Sequence, residues 1–155
     1  MSKRLKGKVA LVTGGSRGIG AAIAKRLAAD GAMVVITYTK EADAASSVAR
    51  AIKQAGGKAI AVQADATAAD QVTAAVNKTV AALGKLGVFA NNASTAIPKK
   101  FEETTIEELD RVVDINLRGA FIATQAALKH MNGGGRIILI GSCVGERMMT
   151  PGLVA

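Results

Sequence analysis

The stretch Val12-Thr13-Gly14-Gly15-Ser16-Arg17-Gly18-Ile19-Gly20 places four glycines and an arginine directly after the apolar run Val9-Ala10-Leu11-Val12. Glycine loses more backbone freedom on ordering than any other residue. A turn that keeps four of them needs either dihedrals that side chains disfavour or a backbone that something large can approach. The apolar run reads as a strand, Val9 to Thr13. The residues after the turn read as a helix, Gly18 to Asp30, with Ile19, Ile23, Ala24 and Leu27 on one face and Gly31 as its stop.

The same alternation recurs along the chain. Met33 to Thr37 is a second strand, Ala42 to Gln54 a helix closed by Gly56-Gly57, and Lys58 to Gln63 a third strand. Ala68 to Leu83 is a helix ended by Gly84, and Val88 to Ala90 is a short fourth strand running into Asn91-Asn92. A long helical region spans about Thr105 to Met131, and Arg136 to Ile140 is a fifth strand. Strands alternating with helices imply right-handed crossovers and a parallel sheet covered on both faces. The strands are near-continuous apolar runs, as doubly covered strands should be. The reading is an α/β fold, a Rossmann-type doubly wound parallel sheet of about five strands, with residues 1–155 forming one domain. In that class ligands sit at the carboxyl ends of the strands, near the point where strand order reverses.

Composition narrows the function. Half of the 155 residues are hydrophobic, yet only three Phe and one Tyr are present and no Trp, so the core is aliphatic. No apolar run reaches the length of a membrane span, and no signal-peptide core follows the charged start MSKRLKGK. The sole cysteine, Cys143, excludes an internal disulfide and fits a reducing compartment, with the cytoplasm as the expectation. Twenty basic against 12 acidic residues give a net charge of +8. The basic residues are scattered over helix faces, and base-stacking aromatics are nearly absent, so no nucleic-acid partner is expected. One His and one Cys make a zinc site of the usual type implausible, and no metal is expected. Glu102-Glu103 and Glu107-Glu108 read as a solvated helix start, where acids suit the dipole.

The glycines Gly14, Gly18 and Gly20 form G-x-x-x-G-x-G between a strand and a helix, a relative of the dinucleotide fingerprint. The first permits a tight turn, the second lets backbone amides approach a pyrophosphate, and the third lets helix and sheet pack closely. The helix N-terminus adds positive potential for the anion. An acid ending the second strand would select NAD(H) through the ribose 2′-hydroxyl. Here Thr37-Tyr38-Thr39-Lys40 stands there, with no acid before Glu41. Arg17 and Lys40 are placed to meet a 2′-phosphate, so NADP(H) is expected over NAD(H).

These motifs together resemble the short-chain dehydrogenase/reductase family, in its 3-oxoacyl-carrier-protein-reductase-like branch. Thr13-Gly14-Gly15-Ser16-Arg17-Gly18-Ile19-Gly20 is similar to the family's cofactor turn. The resemblance implies cofactor contacts from Gly14, Ser16, Arg17, Gly18, Ile19 and Gly20, and from Tyr38, Thr39 and Lys40 beside the adenosine. It implies that Asp65 and Ala66 contact the adenine, and that Asn91-Asn92-Ala93 lines the cofactor as the family's Asn-Asn-Ala-Gly turn does. Asn116, in Asp114-Ile115-Asn116-Leu117, matches the asparagine of the proton relay, and Ser142 the catalytic serine that holds the substrate oxygen. Hydride transfer between nicotinamide and a ketone or secondary alcohol follows from the resemblance, with a small-molecule carbonyl or alcohol as substrate. Ser94 stands where the family usually has glycine, a position that a positive φ would strain.

The family's Tyr-x-x-x-Lys pair, a tyrosine proton donor and a lysine that lowers its pKa, has no counterpart after Ser142. The only tyrosine is Tyr38. The expectation is therefore the N-terminal part of such a reductase, with a non-catalytic nucleotide-binding module as the alternative. A homo-oligomer, or a need for a completing segment, is also expected, because Ile137-Ile138-Leu139-Ile140 would end the sheet as an apolar edge.

Overall fold

In the computed structural model, which describes residues 3–131 and 133–142, five parallel strands form one sheet in the order β3-β2-β1-β4-β5. The strands are β1 (Val9–Val12), β2 (Met33–Tyr38), β3 (Lys58–Gln63), β4 (Leu86–Asn91) and β5 (Arg136–Leu139). The helices are α1 (Gly18–Ala29), α2 (Ala42–Gln54), α3 (Ala69–Leu83), α4 (Ile106–Val113) and α5 (Ala120–Leu128). The chain winds outward from β1 through β2 to β3, then returns to β4 on the other side of β1. Strand order reverses between β1 and β4, and there the carboxyl ends of two neighbouring strands diverge into a crevice.

The period-two alternation of a strand sends neighbouring side chains to opposite faces, and β1 shows both being used. Ala10 and Val12 join Val34, Ile36, Ala24 and Ile52 in a core beneath α1 and α2. Val9 and Leu11 join Val35, Phe89, Val76 and Ala127 in a second core beneath α3 and α5. All four residues of β1 are buried. The small side chains Ala24, Ala45, Ala75, Ala123 and Ala126 let the helices approach the sheet, which explains a core almost free of aromatics. Phe89, fully buried in β4, is the exception.

Two features depart from the expected elements. The β1–β4 register shifts between Val9 and Ala10, which pair with Leu86 and Val88, so Gly87 is skipped; a glycine without a side chain to place suits such an irregularity. The long helical region expected over about Thr105 to Met131 is present but is not one regular helix: α4 and α5 are joined by a π-helical stretch over Asp114–Gly119. Among the described residues β5 pairs with β4 alone, and Ile138 and Leu139 are exposed. Among the described residues, no helix is long and apolar enough to cross a membrane.

Candidate functional site

Thr13, the first residue after β1, ties the two sides of the crevice together. Its Oγ1 donates to Asn91 Oδ1 (3.1 Å) and accepts from the amides of Asn92 (2.9 Å) and Ala93 (3.0 Å). Asn92 Nδ2 in turn donates to the carbonyls of Thr13 and Gly14, both at 3.1 Å. On the other flank Gly14 N donates to Thr37 Oγ1 at 3.2 Å and Gly15 N to the Thr37 carbonyl at 2.9 Å. The glycine turn is thereby fixed to β4 and β2 at once. Thr13 and Thr37 were not singled out in the sequence; a small hydroxyl residue just past a strand carries little signal by itself.

Each glycine answers a separate steric demand. Gly14 and Gly18 have φ of +63° and +53°, a region side chains disfavour. A Cβ on Gly20 would lie 2.3 Å from the Gly14 carbonyl oxygen and 2.5 Å from Asn92 Nδ2. Gly20 therefore packs the helix against the turn itself and the Asn92 clasp. Gly15, unassigned from sequence, packs on β2, where its Cβ would meet Ile36 at 2.6 Å. A Cβ on Gly18 would meet nothing within 4 Å, so that position is open to solvent.

The turn borders two connected spaces. A small apolar recess of about 40 Å³ is lined by Leu11, Val72, Val76, Ile115 and Ala123 with Thr13, Thr37 and Asn91 at its rim. Outside it lies a cleft of about 440 Å³, within the size range of small-molecule sites. Its wall includes Gly14, Ser16, Arg17, Ile19, Tyr38, Thr39, Lys40, Asp65, Ala66, Asn92 and Ala93. Of the cofactor-contact residues named from sequence, Gly18, Gly20 and Asn91 do not line this cleft; Asn91 lines the recess instead. Glu41, Ser94, Thr95, Arg111 and Ile115 complete the wall. Ile19, which shares a helix stripe with Ile23, Ala24 and Leu27 and is also expected to contact the cofactor, is 64% exposed and lines the cleft. Periodicity identifies a helix stripe, but the first turn of α1 projects beyond the sheet that covers the rest.

The electrostatics of the cleft are set by a few groups. Arg17 occupies the N-cap position of α1 in extended conformation and makes no side-chain capping bond, and no acid lies in the first turn. The N-terminal end of α1 therefore presents its positive potential without a side-chain cap. Asp65 Oδ1 accepts from Thr67 N and Thr67 Oγ1, both at 2.9 Å. The Thr67 amide, then its hydroxyl and the charges of Arg111 and Lys40, hold the Asp65 carboxyl below its ordinary value against partial burial. Asp65 stays ionised at the cleft wall.

Asn116 sits within the π-helical stretch, and its carboxamide clasps the backbone of Thr95: Oδ1 accepts from Thr95 N and Nδ2 donates to Thr95 O, both at 2.9 Å. A π-turn often marks a functional position in a helix. Here it aims one carboxamide at the loop after β4, while Gly119 lets the helix touch Ala66, whose carbonyl oxygen would be 2.5 Å from a Cβ. Ser94 causes no strain, since no described non-glycine residue has positive φ. Ser142 is exposed three residues beyond β5, at the same end of the sheet, where Ile140 N bonds the Asn91 carbonyl at 2.9 Å. Cys143 and residues 144–155 lie outside the described residues. Glu102 and Glu103 form a short 3-10 turn, and Glu108 closes a capping box with Thr105, as the reading of a helix start required. No group of three or more metal-ligating side chains occurs among the described residues.

Known proteins are similar to this chain in sequence and in fold. An uncharacterized oxidoreductase of Methylorubrum extorquens is 50% identical over 149 residues, which cover 96% of this chain and 60% of that protein. A dehydrogenase/reductase from Sinorhizobium meliloti superposes with a TM-score of 0.94 at 48% identity, covering 97% of this chain and 60% of its own. A short chain dehydrogenase from Burkholderia cenocepacia, solved in complex with NADP, gives 0.93 at 47% identity, covering 96% and 61%. The chain thus spans about 60% of the length of such relatives. The family model for short chain dehydrogenases matches residues 8–154, and the chain belongs to that family.

Proposed function

We propose that this chain forms the nucleotide-binding part of an NADP(H)-dependent oxidoreductase acting on a ketone or secondary alcohol, with residues 1–155 as one domain. The observation that carries the reading is the uncapped N-terminus of α1, opening on a cleft at the point where strand order reverses. The residues fit the group: Gly14 and Gly18 give a turn without side chains in the way, and Gly20 keeps it tight against Asn92. The amides of the turn and α1 would hold the pyrophosphate, Asp65 and Ala66 the adenine, and Tyr38, Thr39 and Lys40 the adenosine ribose. Arg17 and Lys40, with the Ser16 hydroxyl beside Arg17, would meet the 2′-phosphate; NADP(H) as the cofactor is supported by the NADP complex of the Burkholderia relative. Ile19, Asn91, Asn92 and Ala93 would line the path toward the nicotinamide.

When bound, NADP(H) supplies or takes the hydride at its nicotinamide ring. Ser142 would hold the substrate oxygen by hydrogen bond, and Asn116 would keep the β4 loop in register with the helix while taking part in a solvent relay. The alternative is nucleotide binding without turnover; Tyr38, the only tyrosine among residues 1–155, ends β2. A cytoplasmic setting belongs to the same reading and is supported by a single cysteine. So does a homo-oligomer, supported by an exposed apolar ridge along α4 and α5 (Ile106, Leu109, Val113, Leu117, Phe121).

Titration with NADPH and NADH tests the cofactor. Arg17→Ala should weaken NADPH binding about tenfold, in line with the loss of a charge-assisted contact, and leave NADH nearly unchanged. Equal losses would show that Arg17 does not read the 2′-phosphate. Ketone-dependent NADPH oxidation by this chain separates the two readings. Turnover by this chain alone would count against the non-catalytic alternative and would require a proton donor other than the family's tyrosine.

A further inference from the structure

An ion pair spans the mouth of the cleft. Arg17 Nη1 lies 3.3 Å from Glu41 Oε1, and Ser16 Oγ donates to Glu41 Oε2 at 3.4 Å. Glu41 occupies the N-cap position of α2, yet its side chain caps nothing there. Its carboxylate turns instead toward the glycine turn. Both partners are largely in solvent, with side-chain exposures of 80% and 47%, and pairs of that kind add little to stability. The contact matters because of where it sits. Ser16 and Arg17 are among the donors that the proposed function assigns to a 2′-phosphate, and the carboxylate already contacts both.

We infer that Glu41 is a resident counter-anion of the 2′-phosphate subsite, which must be displaced from Ser16 and Arg17 before NADP(H) can use them and which therefore sets how far the site prefers NADP(H) over NAD(H). The inference rests on the dinucleotide reading above. A 2′-phosphate has to separate Arg17 from Glu41 and then remain beside a like charge. A ribose 2′-hydroxyl meets no such demand, because it can donate to the same carboxylate. Glu41 thus acts against the phosphorylated cofactor alone. Lys40, the preceding residue on the cleft wall, supplies a second cation for the phosphate once Arg17 is released.

The test is a set of NADPH and NADH titrations, read by nucleotide fluorescence, on the unmodified chain, Glu41→Gln, Arg17→Ala and the double variant. Glu41→Gln keeps the size of the side chain and removes its charge at an exposed site. It should tighten NADPH binding about threefold to tenfold at low salt, and less at high salt. NADH binding should stay constant or weaken. In the Arg17→Ala background the gain should shrink, because no cation remains to be freed. Unchanged or weaker NADPH binding in Glu41→Gln, or equal tightening of both cofactors, would overturn the inference while leaving the dinucleotide reading intact. Failure of the unmodified chain to bind either nucleotide would overturn both.

Discussion

Helices α1 and α4 face the same physical problem and solve it in opposite ways. Each begins with backbone amides that have no partner within the helix. At α4 the protein supplies partners itself: Thr105 Oγ1 accepts from Glu108 N at 3.2 Å, and Glu108 Oε2 accepts from Thr105 N at 3.1 Å. Lys99 then pairs with the other oxygen of Glu108. At α1 the N-cap is Arg17, among the poorer capping types, with no side-chain cap and no acid in the first turn. The self-capped helix has two of its leading amides already engaged and two acids in its first turn, which disfavour an anion there. The uncapped one keeps its potential for a ligand, and the glycines before it keep the approach clear.

The contrast can be broken most severely at Gly20. A methyl group there would press on the Gly14 carbonyl and Asn92 Nδ2 at under 3 Å, and backbone cannot yield as a flexible side chain can. Gly20→Ala should cost about 3 kcal/mol in denaturant unfolding and abolish NADPH binding. Retention of full stability would show that the turn relaxes freely. Thr13→Val keeps the shape of the side chain but leaves the amides of Asn92 and Ala93 without their acceptor, an expected loss of about 2 kcal/mol. Nucleotide affinity should fall with it, since those bonds join the two walls of the crevice.

Exchanging the caps themselves sharpens the comparison. Thr105→Ala should destabilise by about 1 kcal/mol and leave nucleotide binding alone. Arg17→Ser should do the reverse, adding up to about 1 kcal/mol of stability as a good N-cap while weakening NADPH binding. If Arg17→Ser proved neither more stable nor weaker in binding, α1 would not be holding its N-terminus open for a ligand.

The smallest effect is one of pH. The Lys99 ammonium and the Thr105 amide hold the Glu108 carboxyl below its ordinary value; Glu107 is lowered as well, chiefly by the backbone amide hydrogen bond at the helix start. A depressed carboxyl favours folding fully above its unfolded value near 4.5 and loses that contribution as pH falls through the folded value. Stability of the unmodified chain should therefore drop below about pH 4.5, and Thr105→Ala should flatten part of that drop. Because both acids are exposed, the difference should fade in salt. An identical acid limb in the two proteins would separate the cap from the titration.

How much of this was legible before the structure depends on whether its cause is local. The five strands could be read because doubly covered strands are apolar along their length, and the glycine turn because its context is a strand and then a helix. The π-helical stretch at Asp114–Gly119 could not. Nothing in DINLRG breaks a helical pattern before its final glycine, and the contact that accompanies the π-turn, the Asn116 clasp on Thr95, lies 21 residues away in sequence. The exposure of Ile19 was hidden for the same reason, since a helix stripe does not reveal where the sheet beneath it stops. Glu41 was visible as an acid near β2, but its hold on Ser16 and Arg17 depends on the glycine turn bringing three side chains together across the sheet. Gly15 looked like one glycine among four until its contact with Ile36 gave it a separate task.

Amide hydrogen exchange with and without NADPH tests the central claim most directly, because it reports where the nucleotide settles rather than only that it binds. The uncapped turn and α1 N-terminus should be protected on saturation, residues 13–20, together with residues 38–41, 64–66 and 92–95 around the cleft. The capped start of α4 at 105–108 and the edge strand β5 should exchange as before. Protection confined to β5 or the α4–α5 ridge, or no saturable protection at all, would contradict the assignment of this cleft as a dinucleotide site.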